Sequence, residues 1–253
     1  MSEVGTVAQL WRYPVKSFQG EQVDELTIAP GGSPGDRILA VVDPAAEKVL
    51  SAKRYADLLL ASARLDGSRV VITLPDGREH ASDDAGVHAA LSAWLGMDVR
   101  LEPPPADKAY PMEMYTGMSD ESTPIFDWTG PQGSWVDLAD SHWVTTTSLG
   151  TIAGEHSAGT WDVRRFRPTG LIEAAGDEGY PEEGWPAFDV GDARVEVLMP
   201  TMRCSMPSRA QPGLARDMAI GTTIRDANSN NLGVYAAVTR SGTVRVGDSV
   251  HSR

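Results

Sequence analysis

Val4-Gly-Thr-Val-Ala-Gln-Leu-Trp-Arg-Tyr-Pro-Val-Lys-Ser17 carries β-favouring residues in partial alternation up to Tyr13, then breaks at Pro14. It reads as a strand that runs into a loop, with a lysine and a hydroxyl just past the strand end. Working outward, Val23–Ile28 reads as a second short strand. Ala29-Pro-Gly-Gly-Ser-Pro-Gly35 is turn-rich, and Arg37-Ile-Leu-Ala-Val-Val42 is an apolar run suited to a buried strand. Tyr55–Leu65 reads as a short helix or an irregular segment. Arg69–Leu74 and the strand after Pro75-Asp-Gly-Arg78 form a hairpin. Ser82–Leu95 is the best helix pattern: Ser82 as N-cap, Val87, Leu91 and Leu95 at helical spacing, and Gly96 as the stop. Val99–Glu102 is a strand, and Pro103-Pro-Pro-Ala closes this section.

Residues 106–135, with Met112, Met114 and Met118, read as loop. Trp143–Thr147 is strand-like and hands over to a helix near Ser148. Val163–Ile172 reads as a basic strand, Arg194–Met199 as a strand leading to Cys204, and Leu232–Thr239 and Thr243–Val246 as the last strands. Many short strands punctuated by Gly and Pro, with few helices, predict a mainly β chain built on a barrel. Residues 45–105 form a smaller α+β unit.

Composition narrows the function. With 22 basic against 35 acidic residues the net charge is −13, which disfavours nucleic acid as a partner, because phosphate neutralisation needs a basic surface. No apolar run is long enough to span a bilayer, and no secretory leader pattern opens the sequence, so no membrane partner and a cytoplasmic location are expected. The single cysteine fits a reducing compartment.

Cys204 stands next to Arg203, and an adjacent cation favours a thiolate, the form that attacks electrophiles and binds metals. Alone it acts as one sulfur ligand or one nucleophile, or packs as a small buried hydrophobe. His80, His88, His142, His156 and His251 show no ligand-pair spacing and read as surface or structural. Lys16-Ser17, Gly35-Asp-Arg37, Thr145-Thr-Thr-Ser148 at a helix start, Arg167 and Arg203 are anion-binding elements near loops. Together with one loop thiol they suit a phosphate-bearing pterin ligand that carries a thiophilic metal.

The landmarks also resemble a known family. Val4–Ser17 resembles the opening of the MOSC proteins (named from the molybdenum cofactor sulfurase C-terminal domain), most of all that of the amidoxime-reducing components. Gly35-Asp-Arg37, Phe166-Arg-Pro-Thr169, Arg203-Cys204 and Gly242-Thr-Val-Arg-Val-Gly-Asp248 resemble later family landmarks in the same order. The resemblance implies a MOSC-type β-barrel over 106–253. It also implies a smaller N-terminal α/β module over 1–105, whose first strands, about 1–40, join the barrel.

It further implies molybdenum cofactor bound between the two parts, with Cys204 as metal ligand and catalytic residue. Lys16, Ser17, Arg37, Arg167, Thr169 and Arg203 would hold the pterin and its phosphate, with Thr145, Thr146, Thr147, Ser148 and Tyr235 facing it. The implied activity is reduction of small N-hydroxylated or N-oxide compounds, with electrons from a separate redox protein. No pyridoxal phosphate, haem or iron–sulfur cluster is expected. The alternative is a sulfur carrier that holds a persulfide on Cys204, or a protein that binds the cofactor without turnover. Thr169 stands where the family usually has asparagine, Phe18 where relatives often have cysteine, and Ser205–Gly213 departs from the family's pattern after the thiol.

Overall fold

The computed structural model describes residues 1–107, 109–115, 125–130, 132–176 and 179–253. Among these, seven strands close into a barrel. In spatial order they are Gly170–Ala174, Ser141–Thr145, Asn231–Arg240, Ala193–Met202, Ala187–Val190, Ser249–Ser252 and Ser2–Arg12, and the last pairs back onto the first. Every neighbouring pair is antiparallel except Ser141–Thr145 with Gly170–Ala174. Alternation supplies the filling: Phe188 and Val190, and Val234, Ala236 and Val238 are buried in one interior cluster, and a register shift between Val7 and Gln9 lets Val7 and Leu10 join them. Trp143 and Phe188 meet edge to face at 5.5 Å there. Gly170 lies flat under the indole, where an added Cβ would sit 2.3 Å from the Trp143 ring.

The N-terminal part builds its own core. Strands Lys48–Val49, Ala40–Asp43 and Arg100–Glu102 form one small sheet, and Ser62–Asp66, Arg69–Thr73 and Glu79–Ala81 another. Helix α1, Val87–Leu95, buries Val87 and Leu91 against Leu58, Leu59 and Ile72. The two parts are stitched together by Gln19, whose amide donates to Leu59 O and to Gln211 Oε1, both at 3.1 Å.

Local patterns were overridden in five places. The Val23–Ile28 run is two strands, Glu21–Val23 and Glu25–Ile28. Helix α1 starts at Val87 rather than after Ser82, because Ser82 is spent on the sheet: its Oγ accepts from Val70 N at 3.2 Å. The stretch expected to be loop contains an antiparallel hairpin, Pro111–Tyr115 with Ile125–Thr129; Lys108, residues 116–124 (with Met118) and Pro131 lie outside the described residues.

The basic segment is no strand before Gly170. Val163–Arg165 is a 3-10 turn, capped where the Asp162 side chain accepts from Arg164 N, and Arg167 turns left-handed. Finally, helix α3, Met218–Asn228, has no strong propensity, with β-branched Ile220, Thr222, Thr223 and Ile224. It forms because Asp217 caps it and because Ile220 and Ile224 pack on Ile152, in helix α2 (Thr146–Glu155), and on Phe166 and Leu232.

Candidate functional site

Seven of the residues singled out in the sequence line one cavity of about 330 Å³: Lys16, Ser17, Arg37, Arg167, Arg203, Cys204 and Tyr235. The backbone brings them there at a cost. Ser17, Arg37 and Arg167 have φ of 69°, 49° and 53°, the left-handed region that side chains other than glycine's rarely occupy. Each such residue stores about 1–3 kcal/mol and persists only where its surroundings over-determine it, which is typical of binding sites. A further left-handed residue, Asn230 (φ 67°), anchors the thiol loop: its Nδ2 donates to Arg203 O at 2.7 Å and its carbonyl accepts from Arg203 N at 2.8 Å.

Three arginines lie over aromatic rings. Arg167 lies 4.2 Å over the Tyr13 ring, Arg37 5.3 Å from the same ring, and Arg203 5.5 Å over Phe166. Arg167 also donates to Phe18 O, Arg37 pairs with Asp36, and Arg203 donates to Phe166 O at 2.9 Å. Burial and the nearby Arg37 pull Arg167 down to about 10, so it stays charged at neutral pH. Arg203 Nε is buried and has no acceptor among the described residues, which suits a ligand acceptor.

Lys16 donates to Trp135 O at 2.8 Å and to Asp137 Oδ1 at 2.6 Å. Burial pushes its pKa down, and Asp137 partly restores it. Asp137 is held well below the usual carboxylate range: burial acts to raise it, but the charges of Lys16, Lys53 and Arg37 prevail. Cys204 is half-buried in this wall.

The structure adds residues that no motif revealed. Lys53 lines the cavity, donates to Glu113 O at 2.5 Å, and lies 3.7 Å from Met114 Sδ. Burial acts to lower its pKa, but Asp137, Cys204, Tyr235 and Glu113 hold it up. Six cationic side chains (the four expected, with Lys53 and Arg165) thus face one carboxylate, Asp137, in a chain whose net charge is −13. Such a hollow concentrates anions. Among the described residues no group of three or more His, Cys, Asp or Glu could hold a metal.

Five of the residues named with the cofactor in the sequence lie outside this lining. Thr145, Thr146, Thr147 and Ser148 are not among the residues lining the cavity. Thr145 is the N-cap of α2, with Oγ1 accepting from Ser148 N at 3.0 Å, and both Thr145 and Ser148 hydroxyls donate to buried Glu182, at 2.8 and 2.6 Å. Thr147 donates to Gly176 O. Their hydroxyls serve the fold. Thr169 is likewise absent from the lining; its Oγ1 accepts from His142 N at 3.1 Å and so fixes a residue that does line it.

His142, expected to be surface or structural, is buried in the cavity wall. Its Nε2 is 3.3 Å from an Arg203 nitrogen, which can only donate, so Nε2 is the acceptor and the ring is neutral. Burial and the Arg203 charge push its pKa well below the ordinary value. Because the unfolded chain takes up a proton near pH 6.5 that the folded chain refuses, stability should fall as pH drops below 6.5, by up to about 1.4 kcal/mol per pH unit from this residue. Thermal melting of the parent and of His142→Gln between pH 7 and 5 checks this: the variant should show the shallower slope, and equal slopes refute it.

A closed barrel with a flanking module, and a thiol set in a cationic hollow between them, define the class: the chain belongs to the MOSC family. The MOSC N-terminal beta barrel domain matches residues 4–93 and the MOSC domain residues 137–251. The chain is similar to mitochondrial amidoxime reducing component 2 of Macaca fascicularis, 23% identical over 99% of this chain and 84% of the relative. It is also similar to mitochondrial amidoxime-reducing component 1 of Homo sapiens, 24% identical over the same shares. The solved YUAD protein from Bacillus subtilis has the same fold, with a TM-score of 0.50 and 14% identity over 99% of this chain and 97% of that one. These relationships support a role tied to molybdenum cofactor chemistry, as an oxidoreductase or in sulfur transfer. Among the described residues no helix is long and apolar enough to cross a membrane.

Proposed function

We propose that the chain is a cytoplasmic, molybdenum-cofactor-dependent reductase of N-hydroxylated or N-oxide compounds that takes electrons from a separate redox protein. The observation that carries this reading is the half-buried Cys204 in a hollow with five more cationic than anionic side chains, on a backbone strained at three of its lining residues. Cofactor phosphate and pterin suit Lys16, Arg37, Arg167 and Arg203, and the unpartnered Arg203 Nε gives the ligand a donor. Cys204 supplies the soft sulfur that a molybdenum ligand set needs. Bound there, the cofactor supplies the two-electron chemistry, and the protein supplies position and charge. For an N-hydroxy compound the N–O bond breaks: two electrons and two protons enter, and the amine and one water leave. A reducing compartment keeps the lone thiol available.

The test is metal analysis of protein purified from a host that makes the cofactor. One molybdenum per chain is expected, with conversion of an N-hydroxy compound to its reduced form when a competent electron donor is supplied. A second reading, a sulfur carrier, draws on the half-buried thiol in a cavity that Lys53 also lines. A labile gain of one sulfur atom in the intact mass, without molybdenum, would replace the first reading with the second.

A further inference from the structure

The cationic wall accounts for only part of the cavity. Met114, Met199, Met202 and Met206 also line it, with Leu138. Thioethers offer nothing to a phosphate: they are weak acceptors and carry no charge. Met199 and Met202 are 50% and 56% exposed and Leu138 is 44% exposed, although a folded chain gains by covering side chains of this size.

The backbone is bent to keep the methionines there. Met199 and Met202 are three apart, so a regular strand would turn them to opposite faces. The ladder between Ala193–Met202 and Asn231–Arg240 slips register between Val197 and Met199 and again between Pro200 and Met202. The first slip puts an extra residue, Leu198, into the methionine strand, the second puts the extra residue into its partner strand, and both methionines line the one cavity. Irregularities of this kind re-aim side chains next to binding sites. Methionine is unbranched and polarizable, so such a wall grips flat or irregular apolar bodies without selecting one shape.

We propose that this methionine wall is a subsite for the apolar body of the substrate, so that the chain takes N-oxygenated compounds bearing an aryl or long alkyl group in preference to small polar ones. The assignment rests on the reductase reading for the nature of the head group; the apolar preference itself does not require turnover.

Benzohydroxamic and acetohydroxamic acid share one N-hydroxy head and differ only in phenyl against methyl. Equilibrium binding of both to the full chain is measured by calorimetry, for the parent and for Met199→Ser/Met202→Ser, with thermal melting as the folding control. Both substituted positions are half-exposed, so the variant is expected to fold. The parent should bind the phenyl compound roughly tenfold or more tightly, as burial of a ring's apolar surface requires, and that ratio should collapse toward one in the double variant. A parent ratio near one, a ratio that survives the double substitution, or no binding of either acid overturns the proposal. Variants that weaken only the electron donor's KM would make the wall a protein-docking surface and overturn it equally. Tight phenyl binding without reduction by cofactor-loaded, reduced protein would instead sink the reductase reading and leave the subsite standing.

Discussion

Cys204→Ser is expected to fold like the parent and to lose bound molybdenum and reductase turnover together, each by about a hundredfold or more, since changes to residues that merely support a metal ligand already cost about 10–100-fold. The hydroxyl keeps its proton at neutral pH and lacks the polarizable sulfur that a soft-to-borderline metal prefers. Folding survives because Cys204 is half-buried and belongs to none of the apolar core clusters. The melting temperature should move by less than about 2 °C, in keeping with a substitution away from the core. Metal content, melting and turnover on one preparation decide the matter. Full turnover in the serine variant would remove the thiol from the chemistry altogether.

Arg165→Ala should have the largest effect on stability. The Arg165 side chain is 1% exposed, and its guanidinium donates to Thr160 O, Pro207 O and Ala215 O at 2.8 Å and to Arg209 O at 3.2 Å. Three of these carbonyls belong to the segment that follows the thiol. Without the arginine they keep their burial and lose their donor, at a total of about 3–5 kcal/mol, or roughly 10 °C in melting temperature. Arg165→Lys, which keeps the charge but not the planar fork, should recover part of the loss. Faster amide exchange in residues 205–216 of the lysine variant would report the loosened loop even where the alanine variant fails to fold. Melting unchanged in both variants would show that the arginine does not hold the loop.

How far the sequence revealed this molecule depended on whether a residue's role was local. Long barrel strands were legible because period-two alternation is a short-range signal: Ser2–Arg12 and Asn231–Arg240 lie within a few residues of their expected bounds, whereas the short strands Ala187–Val190 and Ser249–Ser252 were not picked out. Lys16, Arg37, Arg167 and Arg203 could be singled out because each sits in a short landmark. Lys53 and Asp137 could not, because neither has a neighbour that marks it; tertiary folding alone brings them to the thiol. Thr145–Ser148 misled for the opposite reason. Hydroxyls at a helix start suit an anion, and here the anion is the chain's own Glu182. Helix α3 was missed because its β-branched residues favour strands, and the Asp217 cap together with burial against α2 and Phe166 makes it a helix. The methionine pair was hidden because residues three apart in a strand are expected on opposite faces, whereas in this irregular strand both line the cavity.

The way the barrel closes sets when the site can exist. Ser2–Arg12 is held on one side by Gly170–Ala174 and on the other by Ser249–Ser252. During synthesis the earliest strand can pair early only with Glu21–Val23, at its Leu10–Arg12 end, and its barrel partners arrive after most of the chain has left the ribosome. Partners so distant in sequence make for slow, chaperone-exposed maturation. Interrupted translation products have no sealed barrel and no finished hollow, so an unfinished polypeptide offers no complete site to any ligand.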